Sequence, residues 1–326
     1  MTKWLGILTS LGCLALAPSA QAQTYPSKTI TIVVTAAAGG VTDILARAVG
    51  ARLSEKWGQQ VVIENKGGGA HVIGAQQVAN SSPDGHTLMF AEAGTYVINP
   101  NLYKEKAPID IERDFIPVTG LIRIHHSTMV APTLAVNNVA DLIELARKKP
   151  GEITFGTAGI GSGPHVNVAR FENAAKIKLT PVHYRGANPA INDIMGGHTN
   201  MMMVSVSLAL PLHRQGKLKM LSIGSDKRLP QLPEFATTAE SGKLPGYVAG
   251  TWFGMAVAAG TPRPIVDKIN TDVRAIMAEP AFKERFLDRQ FAERMDSSPE
   301  EFRNYIRAET QTWAKVIREQ NLAISH

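Results

Sequence analysis

Thr29-Ile30-Thr31-Ile32-Val33-Val34-Thr35-Ala36-Ala37-Ala38-Gly39-Gly40-Val41-Thr42-Asp43 decides how this chain folds. Its first seven residues are all β-branched, the composition of a buried strand. The run breaks into a turn of alanines and glycines. A helical pattern follows, in which Leu45, Ala48, Val49, Leu53 and Trp57 recur at three- and four-residue steps until Gly58 stops it. Strand, glycine turn, helix is one unit of a helix-covered sheet.

The unit recurs along the chain. A second strand, Gln60-Val61-Val62-Ile63-Glu64, meets Gly67-Gly68-Gly69-Ala70-His71, and a helix is expected over about 73–80. Ser82-Pro83-Asp84-Gly85 is a turn before a strand from His86 to Phe90. After a helix near 138–148, the strand Ile153-Thr154-Phe155-Gly156 enters Thr157-Ala158-Gly159-Ile160-Gly161-Ser162-Gly163-Pro164-His165, which opens another helix. Met201-Met202-Met203-Val204 reads as a buried strand, and Lys219 to Gly224 as another. The C-terminal part is helical, with Ser298-Pro299-Glu300-Glu301 as a capping box. This order predicts an α/β fold with parallel strands.

The glycine turns carry the chemistry. A strand that ends in such a turn before a helix leaves backbone N–H groups pointing outward, and the helix dipole adds about half a positive charge there. That combination receives a carboxylate or a phosphate. Three such turns occur, at 36–43, 66–74 and 157–165. A single one is explained by the steric demands of a tight turn, whereas three in two similar halves point to an anion clamped between them.

Other chemistries fit poorly. Gly159-Ile160-Gly161-Ser162-Gly163-Pro164 places proline where a dinucleotide fingerprint needs its third glycine, and Gly74 is followed by Ala75-Gln76, not by the lysine and hydroxyl of a P-loop. Ser162 and His165 have the spacing of a Ser-x-x-His pair, yet Ile160 stands where a nucleophile elbow needs glycine. The plainer reading has Ser162 touching a ligand or capping the helix, and His165 bonded to backbone. The nine histidines include His125-His126, which as strand neighbours point to opposite faces and chelate poorly. No cofactor and no metal are expected.

The 326 residues are 44% hydrophobic and 19% charged, enough apolar material for two domains and incompatible with a disordered chain. Lys3, the apolar stretch Trp4 to Ala17 and Ala20-Gln21-Ala22 form a secretory leader cleaved after Ala22. Cleavage removes Cys13, the only cysteine, and Lys3, leaving 33 basic against 28 acidic residues, a net charge of +5. No Lys/Arg run of five occurs, so nucleic acid is not an expected partner.

Beyond these readings, the ordered segments resemble the substrate-binding receptors of tripartite tricarboxylate transporters, the Bug family. They include Gly39-Gly40-x-Thr42-Asp43, Glu64-Asn65-Lys66 with Ile73-Gly74-Ala75, Pro83-Asp84-Gly85-His86-Thr87-Leu88 and Asn99-Pro100-x-Leu102-Tyr103. Gly159-x-Gly161-Ser162-x-x-His165, Tyr184-Arg185-Gly186 and Ala239-Glu240-Ser241-Gly242 continue the series. The resemblance implies a periplasmic-binding-protein-like fold, two α/β lobes with a ligand cleft between them: 1–22 as signal peptide, 23–123 with 250–326 as one lobe, and 124–249 as the other. It implies a monomeric periplasmic receptor, not an enzyme, that takes a small-molecule carboxylate to integral-membrane permease subunits. It further implies ligand contacts from Ala37, Ala38, Gly39 and Asp43, from Gly69, Ala70, His71 and Val72, and from Ala158, Gly159, Gly161 and Ser162.

Departures from the family pattern bear on the ligand. Thr35-Ala36-Ala37-Ala38 replaces a Pro-Phe-Pro-Pro, which makes room, and His183 replaces a proline before Tyr184. Val204-Ser205 stands where an Asp-Asn pair is common, which removes a negative charge and favours a purely acidic ligand. A dicarboxylate, with a phthalate-type aromatic acid as one form, is therefore expected, with His71, His125 or His183 serving its second carboxylate. The alternatives are a secreted Ser162/His165 hydrolase and a receptor that presents its ligand to a sensor kinase.

Overall fold

The structure, a computed structural model, describes residues 25–68, 71–103 and 109–319. The leader and its cleavage point, with Gly69 and Ala70, lie outside the described residues.

Ten strands are described. They are β1 (Ile30–Val34), β2 (Val61–Asn65), β3 (Thr87–Glu92), β4 (Phe115–Val130), β5 (Thr154–Thr157), β6 (Thr180–His183), β7 (Met201–Ser205), β8 (Lys219–Ile223), β9 (Gly250–Ala258) and β10 (Ala292–Arg294). They hydrogen-bond in the order β2-β1-β3-β9-β4-β7-β5-β6, with β8 and β10 also on β4. β1 lies parallel between β2 and β3, and β5 parallel between β6 and β7, as the strand–turn–helix units require.

Antiparallel strands join these parallel units. β9 runs antiparallel to β3 and β4, and β4 antiparallel to β7 and β8. The reason is β4 itself, a 16-residue strand whose Pro117, Gly120, Arg123 and His125-His126 interrupt any simple apolar pattern. Its residues from Phe115 to His125 pair with β9, and from His126 to Val130 with β7. Two sheets thus join along one strand, with the change between His125, opposite Gly250, and His126, opposite Ser205.

Backbones crowd at that change. Gly224 N–H donates to His126 O at 2.7 Å, and Ala249 N–H donates to Gly224 O at 2.8 Å. A Cβ on Gly224 would collide with Ala249, and one on Gly250 with Ile124 O, so close approach requires glycine at both positions.

Each sheet has a core on both faces. Leu45, Val49 and Leu53 of the helix Val41–Trp57 pack on Ile30, Ile32 and Val34 of β1, and Tyr96, Trp252 and Phe302 pack on the opposite face. In the second sheet Phe155 and Phe171 share one face, while Ile191, Val204 and Leu210 share the other. Full burial of each such side chain contributes roughly 1.5–3 kcal/mol. The C-terminal helix Pro299–Glu319 starts at the expected capping box: Glu301 N–H donates to Ser298 Oγ at 3.2 Å and Ser298 N–H to Glu301 Oε2 at 2.8 Å. No described helix is long and apolar enough to cross a membrane.

Candidate functional site

The first turn leads from β1 into Val41–Trp57. Ala37, Ala38 and Gly39 are exposed, and among the described residues nothing accepts from the N–H groups of Ala37 and Ala38. Asp43 sits beneath them, 4% exposed. Its Oδ2 accepts the N–H of Gly39 at 2.9 Å, and Arg47 lies 2.9 Å from Oδ1. Burial pushes this carboxyl up, but the Gly39 N–H, Arg47 and Asn65 outweigh it and hold it below the usual carboxylate range. Asp43 is therefore the brace of the turn, and its charge is already neutralised.

The second turn packs against the first. A Cβ on Gly67 would stand 2.8 Å from Ala37 N. His71, at φ +71°, begins the helix Val72–Ala79. Its Nδ1 lies 2.8 Å from Thr35 O and its Nε2 3.6 Å from Glu92 Oε1. Thr35 Oγ1 in turn meets Thr95 Oγ1 at 2.9 Å. Val72 is half-buried at the helix start.

The third turn leads from β5 into the helix Gly163–Ala175, with Gly159 at φ +120° and Gly161 at φ +75°. Gly161 N–H donates to His165 Nδ1 at 3.1 Å, which places the imidazole hydrogen on Nε2. Thr157 Oγ1 accepts the N–H of Gly159 at 3.2 Å and lies within hydrogen-bond distance of His183 Nδ1, at 2.8 Å. Burial, and then the neighbouring His183, lowers His165 to about 4; burial lowers His183. Both rings support the turn as uncharged imidazoles.

Ser162 is 5% exposed and donates its hydroxyl to Gly159 O at 2.6 Å. It makes no side-chain cap on the helix, contrary to the simplest reading of its position, because the Gly159 carbonyl is the nearer partner. With Ser162 Oγ donating to Gly159 and His165 Nδ1 accepting from Gly161, the geometry does not make a Ser–His dyad.

The third turn reaches across the junction to the first sheet. A Cβ on Gly94 would be 3.4 Å from Gly161 O, 3.5 Å from Glu92 Oε1 and 3.6 Å from His71 Cδ2, and one on Gly161 would collide with Asn99 Oδ1. The three turns therefore meet where β1, β3 and β5 end, and the N-termini of the helices Val41–Trp57 and Gly163–Ala175 open there. Ala158 is half-buried on the same turn. Val204 and Ser205 are both 3% exposed, with Ser205 paired opposite His126. Burial, and then His125, lowers His126 to about 3; its Cε1 would meet a Cβ on Gly163 at 2.9 Å.

His125 takes the other face of β4. Its Nε2 lies 3.1 Å from Glu293 Oε1, and it lines a cavity of about 350 Å³ with Trp252, Trp313, Arg123 and Arg170, to which no described residue of the three turns contributes. Sequence reasoning missed Glu92, Thr95 and Asn99. Glu92 had a usable signal, a lone carboxylate at the carboxyl end of an apolar strand, where ligands of α/β sheets bind.

Two α/β halves joined by crossing strands, with anion-type turns meeting between them, define a two-lobed periplasmic binding protein. The chain belongs to the tripartite tricarboxylate transporter family of receptors, whose family model matches residues 45–322. Receptors of this family bind small carboxylates and work with membrane transporters. Protein BugT of Bordetella pertussis is 29% identical over 98% of both chains. A Rhodopseudomonas palustris protein solved with malate is 28% identical, with a TM-score of 0.81 over 90% of this chain and 100% of that one. An R. palustris protein solved with adipate is 33% identical, with a TM-score of 0.85 over 92% and 99%.

Proposed function

We propose that this protein captures a dicarboxylate in the periplasm and delivers it to the permease subunits of a tripartite tricarboxylate-type transporter. One observation carries the reading: two helix N-termini and three glycine-rich turns converge on one point between two sheets. The N–H groups of Ala37 and Ala38 hold one side of a carboxylate, on turns that also carry Gly39, Gly69 and Ala70, and that of Ala158 holds the other, on a turn whose Gly159 and Gly161 N–H groups are taken by Thr157 and His165. Val72 and Ser162 close the walls, Asp43 sets the first turn, and Val204 and Ser205 lie behind the third. His183 is exposed at the end of β6 and is available to a second carboxylate.

The small side chains of Ala36, Ala37 and Ala38 leave space for a bulky body, which supports an aromatic, phthalate-type acid as one candidate. The adipate and malate carried by the two solved relatives support the dicarboxylate class. In this reading the leader is cleaved after Ala22, the mature chain works as a monomer, and 23–123 with 250–326 moves as one lobe against 124–249. A thermal-shift screen of the leader-free protein tests it, with aliphatic and aromatic mono-, di- and tricarboxylates and amino acids. Ligand at a hundred times its dissociation constant stabilises the fold by about 2.7 kcal/mol. A dicarboxylate recovered unchanged supports the reading, and a panel with no hit overturns it.

A further inference from the structure

Glu92 ends β3, and its side chain is 15% exposed beside that of His71, 17% exposed. Thr35 O can only accept, so His71 Nδ1, 2.8 Å away, carries the imidazole hydrogen. Its Nε2 then stands 3.6 Å from Glu92 Oε1, beyond hydrogen-bond distance. A charge-assisted contact between an imidazolium and a carboxylate would close to about 2.7–2.9 Å, well inside the distance seen.

The same spot is bordered from the other lobe by a third acceptor. The point where Gly94 would carry a Cβ lies 3.5 Å from Glu92 Oε1 and 3.4 Å from Gly161 O. A carboxylate and a carbonyl oxygen facing one point, with a ring nitrogen 3.6 Å from the carboxylate, favour a hydrogen-bond donor there. It disfavours a second carboxylate, which would face Glu92 at short range in a partly desolvated site.

We infer that Glu92, with His71 Nε2, reads a donor on the ligand. The ligand carries a hydroxyl or an ammonium next to the carboxylate held by the turns, and Glu92 is the residue that selects it. The charge that Val204-Ser205 lacks is thus supplied from β3. This inference rests on the carboxylate-receptor reading and narrows it to hydroxy- or amino-substituted acids.

Calorimetry on the leader-free protein tests it with matched probes: succinate, malate and aspartate; glutarate, 2-hydroxyglutarate and glutamate; phthalate, 3-hydroxyphthalate and 3-aminophthalate. In at least one series a donor-bearing member should bind tenfold or more tightly than its unsubstituted parent. Glu92→Ala should remove that preference while the parent acid binds as well as before or better. Glu92→Gln, which keeps an acceptor without the charge, separates the two donors: a hydroxyl preference survives it, whereas an ammonium preference falls about tenfold. Melting curves of both variants confirm folding, and the isosteric Glu92→Gln serves if Glu92→Ala does not fold. Parent acids that bind as tightly as their substituted partners, or a preference untouched by both variants, would overturn the inference and leave the receptor reading standing. A panel in which nothing binds would overturn both.

Discussion

Gly161 N–H donates to His165 Nδ1, 3.1 Å away, so the third turn is held by an imidazole that works only while uncharged. Protonating that nitrogen would set two donors against each other. The third turn therefore depends on the burial that holds His165 at about 4.

The first prediction is acid sensitivity. His165 and His126 are held at about 4 and about 3, burial being the main cause in each, while in the unfolded chain they titrate near 6.5. Below 6.5 the unfolded state binds protons that the folded state refuses, so stability falls as pH falls. The loss stops at about 4 for His165 and about 3 for His126, at about 1.4 kcal/mol per pH unit for a fully responding group. Melting temperature should be level between pH 7 and 8 and drop progressively below 6. His165→Gln should flatten the slope, and an unchanged slope would remove His165 from the account.

Replacing Gly161 should separate folding from binding. At φ +75°, alanine costs about 1–2 kcal/mol in backbone strain, and its Cβ collides with Asn99, the first residue of the helix Asn99–Tyr103. Gly161→Ala should lower stability by about that amount yet lose ligand affinity by far more than tenfold, because the collision lies at the junction. Near-normal affinity by calorimetry would show that the third turn does not close against Asn99 during binding.

The brace under the first turn should matter to binding without touching ligand. Asp43→Ala leaves the Gly39 N–H and Arg47 without their acceptor, a loss of about 1–3 kcal/mol. Thermal melts should register that loss, and affinity should fall as Ala37 and Ala38 lose their set positions. Equal affinity in the variant would mean that the turn holds its shape unaided.

Lobe movement should be visible in tryptophan fluorescence. Trp313, on the helix Pro299–Glu319, lies under the guanidinium of Arg170, which belongs to the helix Gly163–Ala175 of the other half, at 5.3 Å from the ring centroid. Trp57, by contrast, bonds Asp272 at 2.7 Å inside its own half. Addition of ligand should shift the emission of Trp313. Trp313→Phe should abolish most of that change and Trp57→Phe should spare it. The reverse pattern would place the moving boundary elsewhere.

Much of this protein was legible in its sequence. The β-branched run Thr29 to Thr35, the stripe of Leu45, Val49 and Leu53 and the capping box at Ser298 set elements by local rules: alternation, helical period and end chemistry. The three turns were legible for the same reason, since glycine at a strand-to-helix junction advertises free N–H groups from a few adjacent residues.

What lay beyond the sequence depends on which distant residues share a point in space. β4 changing partners between His125 and His126 is a matter of pairing with β9 and β7, more than 70 residues away in the chain. The acceptor facing His71 comes from Glu92, and the groups bordering them come from Thr35, Gly94 and Gly161. The sequence could name His71 and the anion turns, because those follow from residue type and local spacing. That Glu92 stands 3.6 Å from His71 was decided only when β3 was laid beside β1, which brings Glu92 to the same end of the sheet as Thr35.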